Sequence, residues 1–338
     1  MSRSVLIVRL GALGDLVHAL PAVAALRDAW PEAQIDWLVD ARYRALVDLV
    51  PIVNRVVALG GPRTSLVGVV RSLRRERYDT AIDLQGLLKS AVLARLSGAR
   101  EVVGFATPLL RERPASVFYT KQGGGGTGEH VIAKNVGLLR VLGINAGAWT
   151  FPMIVPPSGV VDAVRGTMGI GRDQRFAVLN PGGGWPNKCW PPDRFGQVAR
   201  HLSDKQGWPS VVVWGPGEQP LADAVVAASH GAARIAPPTG IGDLLALVRA
   251  AALFVAGDTG PLQLAAALGT PTVGIFGPTN PARNGPWSHA DVTLSRFDQC
   301  ECHHKRRCRR AISCLHDIGV DEMIDAIDRR CQQVTSSG

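Results

Sequence analysis

The chain has 338 residues, more than one ordinary hydrophobic core accommodates, so its length favours two domains. Hydrophobic residues make up 46% of the sequence and charged residues 19%, which is typical of a globular protein and sufficient for two cores. The net charge of +9 favours anionic partners. The chain has only three Tyr and eight Phe, and no basic stripe interleaves with aromatic residues, so a nucleic-acid partner is not expected.

No targeting segment is expected at the start of the chain. The apolar run 5–8 has the length of a strand, is followed by Arg9 and Asp15, and lacks a small-residue cleavage site. No run of about 18 apolar residues occurs, so no transmembrane helix is expected. Without an export signal, the six cysteines favour a reduced cytosolic compartment over a disulfide framework.

Short apolar runs alternate with helical patterns in the first half of the chain. The runs that predict strands are residues 5–10, 35–39, 55–59, 80–84 and 102–105. Helices are predicted between them at residues 16–30, ended by Pro31, and at residues 66–77. This alternation is typical of a parallel sheet with right-handed crossovers.

The same alternation returns in the second half after a change in composition. Residues 123–128 predict a flexible glycine-rich loop, and residues 151–157 an extended linker. The runs that predict strands are residues 177–180, 211–214, 253–256 and 272–276. The patterns that predict helices are residues 194–205, 221–229, 242–251 and 320–331.

The expected fold class is therefore α/β, with two doubly wound domains that have parallel sheets. We place the boundary at residue 156, which gives domains 1–156 and 157–338. Two linked domains of this class bind ligands in the cleft between them, at the carboxyl ends of the strands. The last helix is expected to pack back on the first domain.

The turn at residues 257–261 is the most informative segment of the chain. It follows a short apolar strand and precedes a compact apolar helix, with a glycine where the helix begins. Such a turn directs backbone N–H groups and the positive end of the helix at a negative ligand, usually a phosphate. Pro261 suits the first helical position, and Thr259 or Asp258 can cap the helix. The turn therefore predicts a phosphate-binding site.

A second glycine-bearing turn, with Gly11, Gly14 and Asp15, follows the first predicted strand. A carboxylate at a strand end that faces a cleft can act as a general base. The alternative is that Asp15 is only a helix N-cap, although the third residue after it is His18 rather than the Glu or Gln of a capping box. The turn lacks the sequences of a P-loop and of a dinucleotide-binding loop.

Two further strand ends in the second half carry charged candidates. Lys188 is the only cation in the glycine-rich loop 180–192 and can neutralise phosphate charge, or it is a solvated loop lysine. Glu218 ends the turn 214–218 and can accept hydrogen bonds from ribose hydroxyls, or it complements a helix dipole. Three glycine-bearing turns in one half favour a ligand site over a purely structural interpretation.

Another set of polar residues lies in the first half. Residues 83–90, with Lys89, follow a predicted strand, and Arg111 and His130 lie in the irregular region beyond. These groups can line an acceptor pocket, or they are ordinary surface residues.

The end of the chain is rich in cysteine and basic residues. Four cysteines with His303 and His304 suggest zinc. They are Cys300, Cys302, Cys308 and Cys314. Their spacing lacks paired ligand motifs, so a structural thiol cluster or an adventitious disulfide is favoured, and no metal is predicted. The basic residues of this segment can contact an anionic membrane or acceptor.

Together these segments resemble glycosyltransferase family 9, the lipopolysaccharide heptosyltransferases, which have the two-domain GT-B fold. The similar segments are residues 10–15, 18–21, 83–90, 111–112, 115–119, 188–191, 257–262 and 277–281, with the cysteine-rich tail. Residues 111–119 are most similar to the heptosyltransferase I group, which adds the first heptose to the Kdo of the lipid A core.

The resemblance implies an inverting, metal-independent transfer from ADP-L-glycero-β-D-manno-heptose, without a cofactor. It implies that Asp15 is the general base. The donor-binding residues that it implies are Lys188, Glu218, Asp258, Thr259, Gly260 and Gln263. The acceptor-binding residues that it implies are Gly14, Lys89, Arg111 and His130. The implied acceptor is an anionic, lipid-linked Kdo, reached by a cytoplasmic enzyme at the inner face of the cytoplasmic membrane.

One position departs from the family pattern. Gln263 stands where the family commonly has His, so hydrogen bonding is kept but a titratable ring is lost. This departure concerns either the donor phosphate contact or the identity of the donor sugar. Two alternatives are open beside the heptosyltransferase: a family 9 transferase that uses another nucleotide sugar or acceptor, and a GT-B-shaped sugar-nucleotide epimerase, which would share the paired domains and the phosphate turns.

Overall fold

The computed structural model describes residues 3–61, 65–125, 130–308 and 310–336. The chain divides into two compact units, Met1–Ile154 and Val155–Gly338. The division falls inside the predicted linker. Of the predicted glycine-rich loop, residues 126–128 lie outside the described residues, as does Arg309 of the cysteine-rich segment.

The first unit contains a six-stranded sheet in the order β3-β2-β1-β4-β5-β6. The strands are β1 (Ser4–Val8), β2 (Gln34–Asp40), β3 (Arg55–Leu59), β4 (Thr80–Asp83), β5 (Glu101–Phe105) and β6 (Lys121–Gly123). All pairings between the described strands are parallel. The central strands β1 and β4 are almost wholly buried, which explains why they are continuous apolar runs.

The helices of the first unit connect these strands. They are α1 (Leu13–Val17), α2 (Leu20–Ala29), α3 (Arg44–Val47), α4 (Leu66–Arg75), α5 (Leu88–Leu96) and α6 (Val131–Leu138). The prediction of one helix over residues 16–30 was wrong, because α1 ends at Val17 and α2 begins at Leu20, with Pro21 in its first turn. A proline there lacks the N–H that a continuous helix would use.

The second unit contains a second six-stranded sheet in the order β12-β11-β10-β7-β8-β9. The strands are β7 (Ala177–Asn180), β8 (Ser210–Val212), β9 (Ala233–Ile235), β10 (Leu253–Gly257), β11 (Thr272–Phe276) and β12 (Val292–Ser295). The pairings of the described strands are again parallel. The predicted α/β class with two doubly wound parallel sheets is confirmed.

The helices of the second unit cover both faces of its sheet. They are α7 (Val160–Met168), α8 (Pro192–Gln206), α9 (Gln219–Ala228), α10 (Ile241–Ala250), α11 (Gly260–Ala267), α12 (Pro281–Asn284) and α13 (Val320–Ser336). One core cluster joins Phe195 of α8 to Ile327 of α13, and another joins Val164 of α7 to Leu247 of α10. Helix α13 thus packs within its own unit, and its predicted contact with the first unit stays a prediction.

Membrane insertion of a helix has no support in the described part of the chain. Among the helices there, none combines the length and the apolar composition that crossing a bilayer requires.

Candidate active site

The predicted site turns lie at the switch point of each sheet. In the first unit the strand order reverses between β1 and β4, and in the second between β10 and β7. The turns with Asp15 and Asp83 follow β1 and β4, and those with Asp258 and Lys188 follow β10 and β7. Doubly wound sheets bind ligands at the carboxyl ends of the strands beside this reversal. Each unit therefore presents its polar turns at the edge where ligands bind.

Lys188 and Asp258 form a buried ion pair at the switch point of the second sheet. The Nζ of Lys188 lies 2.6 Å from Oδ2 of Asp258, and their side chains are 15% and 9% exposed. The same ammonium lies 4.7 Å from the centroid of the Trp185 ring. Lys188 is therefore not a solvated loop lysine, because Asp258 and Trp185 hold its ammonium beside the start of α11.

Gly257 allows the two turns to approach. A Cβ at this position would lie 2.5 Å from the backbone oxygen of Lys188, closer than any carbon can approach. A side chain on residue 257 would therefore displace the lysine loop from the end of β10.

The start of α11 differs in detail from the prediction. The helix begins at Gly260, so Pro261 is its second residue rather than its first. Thr259 occupies the N-cap position, but its hydroxyl makes no capping bond, and its Oγ1 is buried without a hydrogen-bond partner among the described atoms. The carboxylate of Asp258 pairs with Lys188 instead of capping. The first N–H groups of α11 thus have no side-chain cap from these two residues.

Glu218 extends this arrangement to the next strand end. It is the N-cap residue of α9, and its Oε2 accepts a hydrogen bond from Gly215 N–H at 2.9 Å. A Cβ on Gly182 would lie 2.1 Å from the same carboxylate oxygen, so the carboxylate lies against the loop that carries Lys188. Burial and the Glu218 charge raise the pKa of the Cys189 thiol to about 11, which makes this thiol a poor nucleophile.

Gln263 is buried in the second turn of α11, with 2% of its surface exposed. Its Nε2 donates to the backbone carbonyl of Asn284 at 2.8 Å. Gln263 therefore ties α11 to the end of α12. Asn284 was not a predicted site residue, since its contribution is a backbone carbonyl that the sequence does not mark.

Asp15 lies within α1, not before it. It is the third residue of the helix, so the N-cap alternative for Asp15 was wrong, and the cap position is Ala12. Its Oδ1 lies 2.8 Å from an N–H of the Arg9 guanidinium, and its Oδ2 accepts from Ala12 N–H at 3.1 Å. The Arg9 side chain is 8% exposed and that of Asp15 41%, so a buried cation orients an accessible carboxylate. The predicted acceptor residue Gly14 precedes it in the same helix.

Asp83 organises the turn that follows β4. Its fully buried carboxylate accepts hydrogen bonds from two backbone N–H groups and from the hydroxyls of Ser90 and Tyr119, both at 2.8 Å. Burial raises the pKa of Asp83 despite these bonds. Asp83 is therefore a structural centre of the turn, and sequence reasoning missed its partner Tyr119.

The predicted acceptor residues Lys89 and Arg111 are both exposed. Lys89 is the second residue of α5. Beside Arg111, the Glu112 carboxylate accepts from Leu88 N–H, the first residue of α5, at 2.7 Å. The two sequence segments 83–90 and 111–119 are thus joined by hydrogen bonds.

His130 is the N-cap residue of α6 and faces a second histidine. Its Nδ1 accepts from Ile132 N–H at 3.2 Å, so a neutral ring carries its proton on Nε2. Its ring meets that of His18 edge-on, with centroids 5.6 Å apart, and lies 5.7 Å from Trp149. The structure therefore brings His18 beside His130, and sequence reasoning did not pair them.

Four cysteines near the end of the chain form a small cluster, in which Cys308 packs on the buried thiols of Cys300, Cys302 and Cys314. None of the cysteines in the described part of the chain forms a disulfide, and no group of three or more metal-binding side chains there is arranged to hold an ion. The sulfurs of Cys302 and Cys308 are 2.9 Å apart. The four sulfurs thus lie together, as a structural thiol cluster or an adventitious disulfide requires, and the expected absence of a metal stays a prediction.

Comparisons with known proteins agree with this architecture. Residues 67–313 match the family glycosyltransferase family 9 (heptosyltransferase). Lipopolysaccharide heptosyltransferase 1 of Pseudomonas aeruginosa is 31% identical over 323 residues, which cover 90% of this chain and 87% of that protein. Lipopolysaccharide heptosyltransferase 1 of Escherichia coli K12 is 25% identical, covering 83% of this chain and 90% of that protein.

A solved structure supports the fold. The E. coli heptosyltransferase WaaC with ADP has a TM-score of 0.76 at 21% identity, covering 98% of this chain and 99% of that chain. At this identity the likeness concerns the fold alone.

Two doubly wound parallel sheets, each with polar turns at its switch point, define an α/β protein of the GT-B fold class. The chain belongs to glycosyltransferase family 9, the heptosyltransferases, and is a glycosyltransferase.

Proposed function

We propose that this enzyme transfers heptose from ADP-L-glycero-β-D-manno-heptose to the Kdo region of the lipopolysaccharide inner core, with inversion and without a metal ion. The observation that carries the proposal is the Lys188–Asp258 pair at the start of α11 in a member of family 9. It places a desolvated cation and uncapped helix N–H groups together, which is the requirement for binding a diphosphate.

The donor is held by the turns of the second sheet. Lys188 donates to the diphosphate while Asp258 fixes the orientation of its ammonium. Thr259 and Gly260 meet the diphosphate and the sugar, and Glu218 accepts from the ribose hydroxyls. The buried hydroxyl of Thr259, which has no partner among the described atoms, then gains one.

The reaction needs one base and one leaving group. Asp15 removes the proton from an acceptor hydroxyl. The oxygen of that hydroxyl forms a bond to the anomeric carbon. The bond from that carbon to the ADP oxygen breaks on the opposite face, so the configuration inverts. ADP takes the electron pair, and Lys188 and the N–H groups of α11 stabilise its growing charge.

The acceptor side is carried by the first unit. Gly14, Lys89, Arg111 and His130 contact the anionic Kdo acceptor, and Gln263 assists the donor side. Because the acceptor is lipid-linked, the enzyme acts in the cytoplasm as a peripheral protein at the inner face of the cytoplasmic membrane, without a cofactor or nucleic acid.

The test is a transfer assay with purified enzyme, ADP-heptose and Kdo-bearing lipid A, in buffer with a metal chelator. The expected result is a product heavier by one heptose, with the anomeric configuration opposite to that of the donor by NMR. Retained configuration, or activity restored only by added metal, would contradict the mechanism.

A reaction without acceptor separates the epimerase alternative. An epimerase converts the nucleotide sugar by itself, whereas a transferase leaves it unchanged apart from slow hydrolysis. Conversion of the sugar in that control would replace the proposed function.

A further inference from the structure

Helix α4 leaves apolar side chains uncovered at its start. Leu66 is 54% exposed and Val67 67% exposed, although Val69 and Leu73 on the same helix are buried. Both exposed residues occupy the first turn, which the Ser65 hydroxyl caps by accepting from Gly68 N–H at 3.0 Å. The apolar side chains of this capped turn are therefore exposed.

These side chains form the floor of an open groove with a volume of about 730 Å³. The apolar lining consists of Leu66, Val67 and Val70 of α4 and Leu96 of α5. The remaining lining residues are all arginines, namely Arg71, Arg74, Arg75 and Arg77. An apolar floor beside guanidinium groups matches a ligand that is apolar at one end and anionic at the other.

Among the described residues, no acidic side chain forms an ion pair with the arginines of this groove. Arg74 donates its Nε to the Leu96 carbonyl at 2.9 Å, which joins the two helices and leaves its charge in place. The nearby Glu76 carboxylate is already paired, at 2.7 Å, with Arg55 outside the groove. Within the described residues, no acidic side chain lines the groove.

Arg77 adds a further cation at the end of α4. Its φ of 52° lies in the left-handed region, where helices usually end in glycine. Arg77 is thus an exposed arginine at a position whose backbone conformation favours glycine.

We propose that the α4–α5 groove docks the protein on an anionic lipid bilayer. Leu66 and Val67 insert among the acyl chains, and the four arginines bind the headgroup phosphates. The surface gives the lipid-linked acceptor of the proposed function a membrane contact, and it lies on residues with no proposed role in transfer.

The test is co-sedimentation of the full chain with vesicles of phosphatidylcholine, with or without phosphatidylglycerol. We expect binding only to the anionic vesicles. The triple variant Arg71→Glu, Arg75→Glu, Arg77→Glu should bind at least about a hundredfold more weakly, since each arginine near such a surface contributes about fivefold. The variant Leu66→Ser, Val67→Ser should also bind more weakly, with the arginines intact.

The matched control reverses Arg172, Arg249 and Arg329, three exposed arginines of the second unit. An equal loss in that control would assign the binding to overall charge and overturn the proposal, as would wild-type binding by the triple variant. Binding of duplex DNA through the same arginines, without vesicle binding, would also overturn it.

Failure of the docking proposal can be distinguished from failure of the proposed function, because the vesicles contain neither donor nor acceptor. Transfer to a soluble Kdo acceptor should proceed at the wild-type rate in both groove variants.

Discussion

Asp15 is held at two points, by the Arg9 guanidinium and by the Ala12 amide, while much of its side chain remains accessible. Asn at this position keeps an oxygen that can accept from both groups but cannot remove a proton. We expect Asp15→Asn to lower kcat by about 10²–10⁴-fold with the fold intact. Asp28→Asn, at an exposed position of α2, is the control. Near wild-type turnover of the Asp15 variant would show that another group is the base.

In the proposed function, Lys188 is the residue on which donor affinity depends most. Replacing it with Gln removes a charged hydrogen bond to the diphosphate, so ADP should bind about 10–100-fold more weakly in a calorimetric titration. The single variant also leaves the Asp258 carboxylate buried without its partner. The double variant Lys188→Gln, Asp258→Asn relieves that cost and should regain stability but not affinity. If it regained ADP affinity, the proposed phosphate contact would be wrong.

At the scale of elements, the approach of the Lys188 loop to β10 depends on Gly257. In Gly257→Ala the new methyl group meets the Lys188 backbone oxygen, which cannot rotate away. We expect a loss of about 1–3 kcal/mol in stability and weaker ADP binding. Gly184→Ala, in the same loop with nothing within 4 Å of the added carbon, is the matched control. Equal thermal unfolding and ADP binding for the two variants would contradict this account of the turn.

Besides their shared core cluster, helices α13 and α8 are linked by the carboxylate of Asp328. Asp328 lies 2.8 Å from His201 Nε2 and 2.7 Å from Lys205 Nζ. Burial acts to raise the pKa of Asp328, but these hydrogen bonds hold it below its usual value of 3.8. The Asp328 carboxylate therefore stabilises the fold fully above pH 3.8, and this contribution is lost as the pH falls through the pKa of Asp328 in the folded state.

Asp328→Asn should lower the free energy of unfolding by about 1 kcal/mol at neutral pH, and this difference should shrink in acid. Denaturant unfolding at several pH values measures it, with the exposed Asp325→Asn on the same helix as the control. A difference that is constant with pH would exclude the carboxylate as its source.

The sequence predicts the central strands better than the edge strands. Strands β7 and β11 lie where they were predicted, because strands buried on both faces are continuous apolar runs. Strand β6 was missed because Lys121–Gly123 is a short, polar edge strand. Strands β9 and β12 are also at or near an edge and were missed for the same lack of an apolar run.

The site residues also fall into two groups, those that the sequence identifies and those that only the folded structure shows. The sequence places Lys188, Glu218 and Asp258 at strand ends, since glycine-bearing turns mark those ends. It does not reveal Arg9 or Tyr119, because their roles depend on partners that only the folded sheet brings near. Gln263 was identified only as a departure from the family pattern, and its bond to Asn284 required the structure.

At the scale of the whole molecule, the net positive charge is concentrated in one unit. Residues 1–154 contain 19 Lys and Arg against 12 Asp and Glu, whereas residues 155–338 contain 18 against 16. The unit that we propose for the anionic acceptor therefore carries most of the net charge of +9. This imbalance favours an anionic partner for the first unit and leaves the choice of donor to the turns of the second.

The choice of donor is tested most directly by competition. Purified enzyme with Kdo-bearing lipid A receives ADP-heptose together with UDP- and GDP-sugars, and mass spectrometry identifies the sugar added. We expect transfer of heptose from the ADP donor. Transfer only from a UDP- or GDP-sugar would contradict the heptosyltransferase function and leave membership of family 9 unchanged.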